Sequence, residues 1–280
     1  MKNAPNGIGI MDKPPEPSPD EQARQSLTRI KNKILVMSGK GGVGKSSVSV
    51  NLAIALAEKG FKVGLMDVDV HGPDIPRMLG LKGMLAANAN RKLDPMRYSD
   101  NLTAVSIESL MPNKDDAIIW RGPVKHGAIR QFIGEVEWGD LDYLIIDSPP
   151  GTGDEPLTVA QLIKDARAVI VTTPQEVALA DVRKSINFCR TLNMEILGLV
   201  ENMSSYTCPH CGESVDIFGS GGGERTAALA GLKLLGRIPF DPDIVKCGDA
   251  GISYQERYAD APATQVFGDI ASQIAQATQK

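Results

Sequence analysis

The sequence predicts an α/β fold in which helices cover both faces of a doubly wound, mostly parallel sheet. Short apolar runs alternate with longer helical stretches, as strands buried on both faces require. A glycine-rich segment joins the first run to the first helix, and acidic residues follow two later runs. Open sheets of this kind bind ligands at the carboxyl ends of their strands. The candidate chemistry therefore lies at that edge.

Each apolar run predicts one strand, and each stretch with helical spacing predicts one helix. The predicted strands are 34–37, 63–66, 104–107, 143–146, 168–172, 196–200 and 234–238. The predicted helices are 48–58, 124–136, 156–162, 182–192, 225–229 and 264–276.

Two regions differ in composition. Residues 1–30 are proline-rich and polar at their start, which favours extended chain, so we expect a flexible N-terminal tail through about Leu27. Residues 31–280 contain all the predicted strands and no internal repeat. We expect them to form a single domain that carries both the phosphate loop and the cysteine pair described below.

Composition excludes several classes of protein. The 280 residues are 42% hydrophobic and 23% charged, which argues against disorder. Thirty Lys and Arg against 34 Asp and Glu give a net charge of -4, so no nucleic-acid partner is expected. No apolar stretch reaches the ~18 residues of a membrane span, and no signal-peptide core is present. We therefore expect a cytoplasmic protein with no membrane partner.

The segment GKGGVGKS matches the phosphate-loop pattern G-x-x-x-x-G-K-[ST] between a predicted strand and a predicted helix. Lys45 is placed to supply charge at the β- and γ-phosphates, and Ser46 offers a hydroxyl to Mg²⁺. Backbone N–H groups at the helix start would face the anionic phosphates. The predicted ATP-binding residues here are Gly39, Lys40, Gly41, Gly42, Val43, Gly44, Lys45, Ser46 and Ser47.

Carboxylates follow two further predicted strands. Asp67 and Asp69 lie in LMDVDVHGPDIP, and Asp147 lies in YLIIDSPPGTGD. A carboxylate at a strand end can hold Mg²⁺ directly or through water, because hard cations prefer oxygen ligands. Either segment alone is typical of a strand-end turn. Together with the phosphate loop they predict a nucleotide site with magnesium, for which Ser46, Asp69 and Asp147 are the candidate ligands.

A cysteine pair with a two-residue spacer is a candidate metal site. Cys208 and Cys211 in TCPHCG can grip one metal centre, but a tetrahedral site needs four ligands. A two-fold axis would bring two such pairs together. Sequence chemistry leaves an iron–sulfur cluster, zinc and a redox pair open. Cys189, in a predicted helix, and Cys247, in a predicted loop, are expected to have structural roles.

These motifs carry a family resemblance. The phosphate loop with its extra Lys40 resembles that of the nitrogenase-iron-protein/MinD branch of P-loop ATPases, the deviant Walker A form. With DVDVHGPDIP, WRGP, IIDSPPGTGDEPLT, TTPQEVAL, ENMS, CPHCG and DIFGSGGGE, the chain resembles the Mrp/ApbC family of iron–sulfur cluster carrier ATPases over about residues 34–253. The resemblance implies a second switch loop in which Gly151 and Gly153 allow movement.

The resemblance also implies roles at the nucleotide. Lys40 would reach the nucleotide of a dimer partner, and Lys45 and Asp69 would join it as catalytic residues, with Asp69 orienting the attacking water. Asp147 would be the magnesium residue at the strand end. Asn202 and Pro239 occupy positions that the family uses around adenine.

For the cysteines, the resemblance favours a [4Fe–4S] cluster bridging two subunits through Cys208 and Cys211. The implied function is an ATP hydrolase that receives a cluster from a donor and transfers it to apo iron–sulfur proteins. The implied assembly is a homodimer with ATP and Mg²⁺ as its other cofactors.

Two other functions are weighed against this one. A positioning ATPase of the MinD/ParA type would bind membrane or DNA, but the C-terminal segment VFGDIASQIAQATQK has no basic face. A zinc-clamped targeting ATPase would need a methionine-rich helical insertion. Met78, Met84, Met96 and Met111 are scattered over a loop-rich stretch, and we expect them to be core or turn residues.

Overall fold

The computed structural model describes residues 18–69, 72–90, 92–110 and 122–279. Its strands are β1 (Ile30–Ser38), β2 (Val63–Asp67), β3 (Met96–Arg97), β4 (Leu102–Ser106), β5 (Leu141–Asp147), β6 (Arg167–Thr172), β7 (Ile196–Asn202), β8 (Tyr206–Thr207), β9 (Ser214–Val215) and β10 (Leu234–Ile238). Its α-helices are α1 (Pro19–Leu27), α2 (Lys45–Glu58), α3 (Ile75–Met78), α4 (Gly122–Glu135), α5 (Asp154–Leu162), α6 (Glu176–Thr191), α7 (Gly222–Ala230), α8 (Pro242–Ala250), α9 (Tyr254–Arg257) and α10 (Pro262–Thr278).

Within these ranges eight strands form one sheet in the order β10-β7-β6-β1-β5-β2-β4-β3. Only the edge strand β3 runs antiparallel to its neighbour. The central strands are buried along nearly their whole length, which explains their continuous apolar sequences. The expected doubly wound, mostly parallel sheet is confirmed.

One hydrophobic cluster packs on each face of the sheet. On one face, α1, α4, α5, α6 and α7 contribute residues such as Phe132 and Ile186. On the other, α2, α3, α8, α9 and α10 contribute residues such as Leu52 and Phe267. No helix of the described chain is long and apolar enough to cross a membrane. Because helices pack on both of its faces, the sheet gives rigid support to the loops at the carboxyl ends of its strands.

The prediction of an unpacked N-terminal tail is wrong for residues 19–27. Residues 19–27 form helix α1, in which Ser18 and Glu21 make a reciprocal capping box. Ala23 and Leu27 are buried in the core, and the hydroxyl of Ser26 donates to the carbonyl of Ile133 in α4 at 2.8 Å. The earlier residues of the predicted tail, 1–17, lie outside the described part.

Some sequence expectations fall on residues that the structure does not describe. Met111, and Trp120 and Arg121 of the WRGP motif, belong to this group. Of the other methionines in the scattered set, Met84 is exposed in an irregular segment, whereas Met78 ends α3 and packs against the core.

Candidate functional site

The phosphate loop runs from the end of β1 into the first turn of α2. Gly42 and Gly44 have φ of 80° and 81°, a left-handed conformation that glycine adopts without strain. A Cβ on Gly39 would overlap the backbone of Asp181 in α6. Val43 is buried and anchors the loop in the core. The glycines thus set the curvature of the loop and its close approach to a neighbouring helix.

A compact set of charged and hydroxyl groups lies at the start of α2. The Nζ of Lys45 is 2.7 Å from Oδ2 of Asp147, the last residue of β5. Ser46 Oγ donates to the same carboxylate oxygen at 2.6 Å, and Ser49 Oγ donates to Asp147 Oδ1 at 2.7 Å. Asp147 is only 1% exposed. The structure brings Lys45, Ser46 and Asp147 together, as the motifs predict.

The aspartates after β2 complete this acidic edge. Asp67 pairs in register with Asp147 on the neighbouring strand, and Asp69 Oδ2 lies 3.9 Å from the Nζ of Lys45. Asp67 Oδ1 accepts the backbone N–H of Asp69 at 3.0 Å, and its Oδ2 accepts the hydroxyl of Ser106 at 3.0 Å. Burial, and then the charge of Asp147, raise the pKa of Asp67 well above its ordinary value.

Asp67, which the sequence analysis named beside Asp69 but did not include among the candidate magnesium ligands, is the fully buried acid of this pair. The signal was available, because the paired acids of DVD place one carboxylate inside the sheet and one beside the phosphate loop. Its hydrogen bond fixes the backbone of Asp69.

The segment expected to form the second switch loop begins directly after Asp147. Ser148 is buried and donates its hydroxyl to the carbonyl of Val36 at 3.0 Å. Gly151, with φ of 87°, donates its N–H to the carbonyl of Ser38 at 2.8 Å. The segment is thus joined to the base of the phosphate loop before Gly153 leads into α5.

The residues expected around adenine lie in two different settings. Asn202 is buried, and its Nδ2 donates to the carbonyl of Val43 in the phosphate loop at 2.9 Å. Pro239 lines a cleft of about 420 Å³, which it shares with Tyr206 and Pro209. The structure therefore brings Asn202 to the loop, while Pro239 borders the segment that carries the cysteines.

Lys40 and Ser47 lie in the loop and in the first turn of α2, and both are half-buried. The carbonyl of Lys40 accepts the hydroxyl of Ser38 at 3.0 Å. No ion pair joins the Lys40 side chain to another residue of the described ranges. Its charge is therefore not neutralised within the described part of this chain.

The cysteine pair forms the tip of a small antiparallel ribbon made by β8 and β9. Cys208 exchanges backbone hydrogen bonds with Glu213 and Gly212, which closes a tight turn. Cys208 is half-exposed and Cys211 is exposed. The backbone N–H of Cys211, and then that of His210, hold the pKa of the Cys208 thiol below its ordinary value. This turn favours thiolate at the place where a metal centre would bind.

The other cysteines are separate from this pair. Cys189 is buried in α6, and burial raises the pKa of its thiol to about 11. Cys247 is also buried, in helix α8 and not in the predicted loop. Across the described residues, no group of three or more His, Cys, Asp and Glu side chains is arranged to hold a metal ion. A four-thiolate metal shell built on Cys208 and Cys211 would therefore need ligands from outside the described part of this chain.

Glu201, next to Asn202, is a position that the sequence analysis missed. It is buried, and its Oε2 accepts the N–H of Gly223 at 2.6 Å, near the start of α7. Arg237 from β10 donates to its Oε1 at 2.9 Å. A buried acid at a strand end was the available signal.

Comparison with known proteins assigns the family. Residues 29–275 match the ParA family described as NUBPL iron-transfer P-loop NTPase. The iron-sulfur cluster carrier protein of Saccharolobus solfataricus is 48% identical over 256 residues, which cover 91% of this chain and 86% of the relative. That of Methanocaldococcus jannaschii is 48% identical over 256 residues, covering 91% and 88%. The chain belongs to this family.

Solved structures agree with the assignment to the NUBPL iron-transfer P-loop NTPases. A nucleotide-binding protein from Archaeoglobus fulgidus, solved in complex with ADP, has a TM-score of 0.73 and 43% identity, covering 83% of this chain and 91% of its own. The MinD ATPase of Pyrococcus furiosus has a TM-score of 0.63 and 23% identity, covering 88% and 99%, and shares the fold. The predicted family and fold class are confirmed.

Proposed function

We propose that the carboxyl edge of this sheet binds and hydrolyses ATP. The contact between Lys45, Ser46 and Asp147 supports this proposal, because it gathers a cation and oxygen donors beside the start of a helix. In the proposed complex Lys45 exchanges its contact with Asp147 for the β- and γ-phosphates. The loop residues 39–47 then donate backbone N–H groups to the phosphates.

The same residues fit Mg²⁺. Ser46 Oγ and Asp147 Oδ2 are 2.6 Å apart, and both are oxygen ligands of the kind that Mg²⁺ prefers. When bound, the metal would neutralise charge on the phosphates. Asp69 lies at the rim of this cluster, where it would orient the attacking water or a metal-bound water. The proposed role of Asn202 and Pro239 is to contact adenine.

The proposed cargo is an iron–sulfur cluster. Two relatives with 48% identity are named iron-sulfur cluster carrier proteins, and this chain presents an exposed pair of cysteines suited to metal binding. A [4Fe–4S] cluster takes four thiolates, so Cys208 and Cys211 of two chains would complete one shell. We infer a homodimer that receives the cluster from a donor and passes it to apo-proteins, with ATP turnover as the switch.

One observation carries the cargo proposal: Cys208 is half-exposed and Cys211 is exposed at the tip of a ribbon, with no third ligand from the rest of the described chain. A complete zinc site or a buried dithiol would argue for another role. The proposal can be tested because the cluster requires two chains and both cysteines.

The test is anaerobic reconstitution with iron and sulfide, followed by metal analysis across a size-exclusion profile. We expect about four iron and four sulfide per two chains, with visible absorption that is lost in Cys208→Ala and Cys211→Ala. Cys189→Ala is the matched control and should keep the cluster, because Cys189 is buried in α6. A full cluster on a stable monomer, or zinc without iron in protein purified anaerobically, would refute the bridging cluster.

A further inference from the structure

The last residue of β7 touches the phosphate loop. Asn202 donates from Nδ2 to the carbonyl of Val43 at 2.9 Å. A Cβ on Gly44 would overlap the same nitrogen, so the amide packs directly against the loop backbone. Any displacement of the Val43 carbonyl must therefore be followed by Asn202 or must break this buried hydrogen bond, which is costly.

The next residue has an unfavourable backbone conformation. Met203 has φ of 57°, in the left-handed region that residues other than glycine seldom adopt. Asn193 is the other described non-glycine residue with positive φ, and its short polar side chain suits that region better than methionine does. Strain of this kind persists only where neighbouring contacts enforce it.

Contacts on the far side of Met203 hold the start of the cysteine ribbon. The N–H and hydroxyl of Ser204 both donate to the carbonyl of Ile238, at 2.9 and 3.1 Å. Phe240 donates its N–H to the carbonyl of Ser205 at 2.7 Å, and its ring meets that of Tyr206 edge-on at 6.0 Å. Residues 204–206, which lead into the ribbon, are thus attached to the segment that follows β10. Met203 is the strained residue between them and Asn202.

The returning side of the ribbon, the chain from β9 to the start of α7, is fixed to the sheet by different contacts. Glu201 accepts the N–H of Gly223, and a Cβ on Gly222 would overlap the carbonyl oxygen of Pro174. Among the described residues, this side makes no hydrogen bond or ion pair with the phosphate loop. The path from Val43 through Asn202 and Met203 is therefore the one that begins with a direct hydrogen bond to the loop and continues along the chain to the cysteines.

We propose that Met203 is a hinge through which nucleotide in the phosphate loop changes the exposure of the Cys208 and Cys211 thiols. The inference rests on the proposed function and deepens it, because it names the segment by which ATP regulates the cargo site. Nucleotide binding shifts the Val43 carbonyl, Asn202 follows, and the strained backbone at Met203 turns the ribbon. Met203 acts here as a positioning residue.

The experiment measures thiol alkylation at each cysteine in the metal-free full-length chain. Iodoacetamide rates at Cys208 and Cys211 are read by mass spectrometry at one pH, without nucleotide, with MgADP and with a non-hydrolysable magnesium ATP analogue. Equilibrium binding of the same nucleotides is measured in parallel. In the unsubstituted chain we expect the analogue to change the rate at one or both cysteines by about fivefold or more, the lower end of common allosteric coupling.

Met203→Gly tests the hinge, because glycine accepts a positive φ without strain and a relaxed joint would no longer pass a movement of Asn202 to the ribbon. We expect it to bind nucleotide normally and to lose the rate change. Asn193→Gly is the matched control, since it removes the same kind of strain at the end of α6 and should keep the full rate change. Ser204→Ala, which removes one of the two hydrogen bonds to the Ile238 carbonyl, should reduce the rate change while nucleotide still binds.

Two results would overturn the hinge. One is a Met203→Gly chain with the full nucleotide-dependent change; the other is an unsubstituted chain that binds the analogue but alkylates at the same rate in every state. Both results leave the proposed ATPase and cluster site standing. Failure of the unsubstituted chain to bind nucleotide would instead overturn the proposed function and the hinge together.

Discussion

Lys45 and Asp147 form a buried ion pair at the centre of the site, and each depends on the other. Both side chains are almost fully buried, with Nζ and Oδ2 separated by 2.7 Å. Removing one partner from such a pair leaves a buried charge without its counterion, which is strongly destabilising. The nucleotide phosphates are the proposed alternative partner of Lys45. A control substitution at another buried lysine can therefore separate the role of Lys45 in nucleotide binding from its role in stability.

Lys45→Ala is expected to abolish productive nucleotide binding, because the main cation facing the phosphates is lost. Lys33→Ala is the control, since Lys33 is also buried and pairs with Asp165 at 2.7 Å, but at the other end of β1. Both changes should lower thermal stability, whereas only Lys45→Ala should prevent binding of labelled ATP at equilibrium. Unchanged binding in Lys45→Ala would refute the phosphate-loop assignment.

Asp69→Asn should separate binding from turnover. The amide keeps the size of the side chain, and the Lys45–Asp147 pair remains, so ATP should still bind. Loss of a group that acts on the attacking water should lower kcat by about 10²-fold or more. Single-turnover hydrolysis and equilibrium binding measure the two effects. Asp140→Asn, an exposed change at the amino edge, should alter neither, and a parental rate in Asp69→Asn would exclude its proposed role.

Gly39→Ala and Gly41→Ala should differ in their effect on folding. A Cβ at Gly39 would overlap the backbone of Asp181, whereas a Cβ at Gly41 meets nothing within 4 Å. Gly39→Ala must push the loop away from α6, so we expect a clearly lower Tm. Gly41→Ala should leave Tm close to that of the unsubstituted chain. Equal Tm values would mean that the loop adapts without cost.

At the scale of elements, apolar runs predicted every long parallel strand, because strands covered by helices on both faces need apolar side chains throughout. Helices without such runs were harder to recognise. Helix α1 was hidden by the prolines around it, although Ser18 and Glu21 form a capping box and Pro19 suits a first turn. Helix α8 begins with a similar signal, the cap residue Asp241 followed by a proline.

Contacts between distant segments explain what sequence patterns could not supply. The bonds from Asn202 to Val43 and from Glu201 to Gly223 depend on residues that only the finished sheet brings together. The C-x-x-C pattern identified the cysteines but not the ribbon that presents them. The strand-end aspartates were predictable because parallel strands bring their carboxyl ends to one edge.

The packing of α1 can be tested by enlarging one buried alanine. Ala23 is fully buried, and a Cβ on Gly134 of α4 would lie 3.1 Å from its backbone nitrogen, so the two helices are in close contact. Ala23→Leu should lower the free energy of unfolding by about 1–3 kcal/mol, the usual cost of overpacking.

Gln25→Leu is the matched control for α1, because Gln25 is exposed on the same helix. It should change the free energy of unfolding by no more than about 0.5 kcal/mol. Urea denaturation measures both variants. If Ala23→Leu were as stable as Gln25→Leu, α1 would not be part of the packed domain.

At the scale of the whole molecule, the site predicts a division of labour between two chains. Lys45 is the lysine proposed for the phosphate site of its own chain, whereas the Lys40 side chain has no ion pair within the described residues. A second lysine in the same loop is explained if it faces the nucleotide of a dimer partner. The proposed bridging cluster points to the same symmetry, because each chain would supply two of its four thiolates.

Mixing two inactive variants tests this arrangement. If Lys40 acts on the partner's nucleotide, a dimer of one Lys40→Ala chain and one Asp69→Asn chain has one complete site: the Lys40→Ala chain keeps its own Asp69 and receives Lys40 from its partner. Random assortment of equal amounts makes about half of the dimers mixed, so about a quarter of the parental ATPase activity should return. Each variant alone should be nearly inactive.

In the control, Lys40→Ala is mixed with a Lys40→Ala, Asp69→Asn double variant, and no dimer contains Lys40. No activity should return there, and a mixture of the two single variants that also stayed inactive would show that Lys40 serves its own chain.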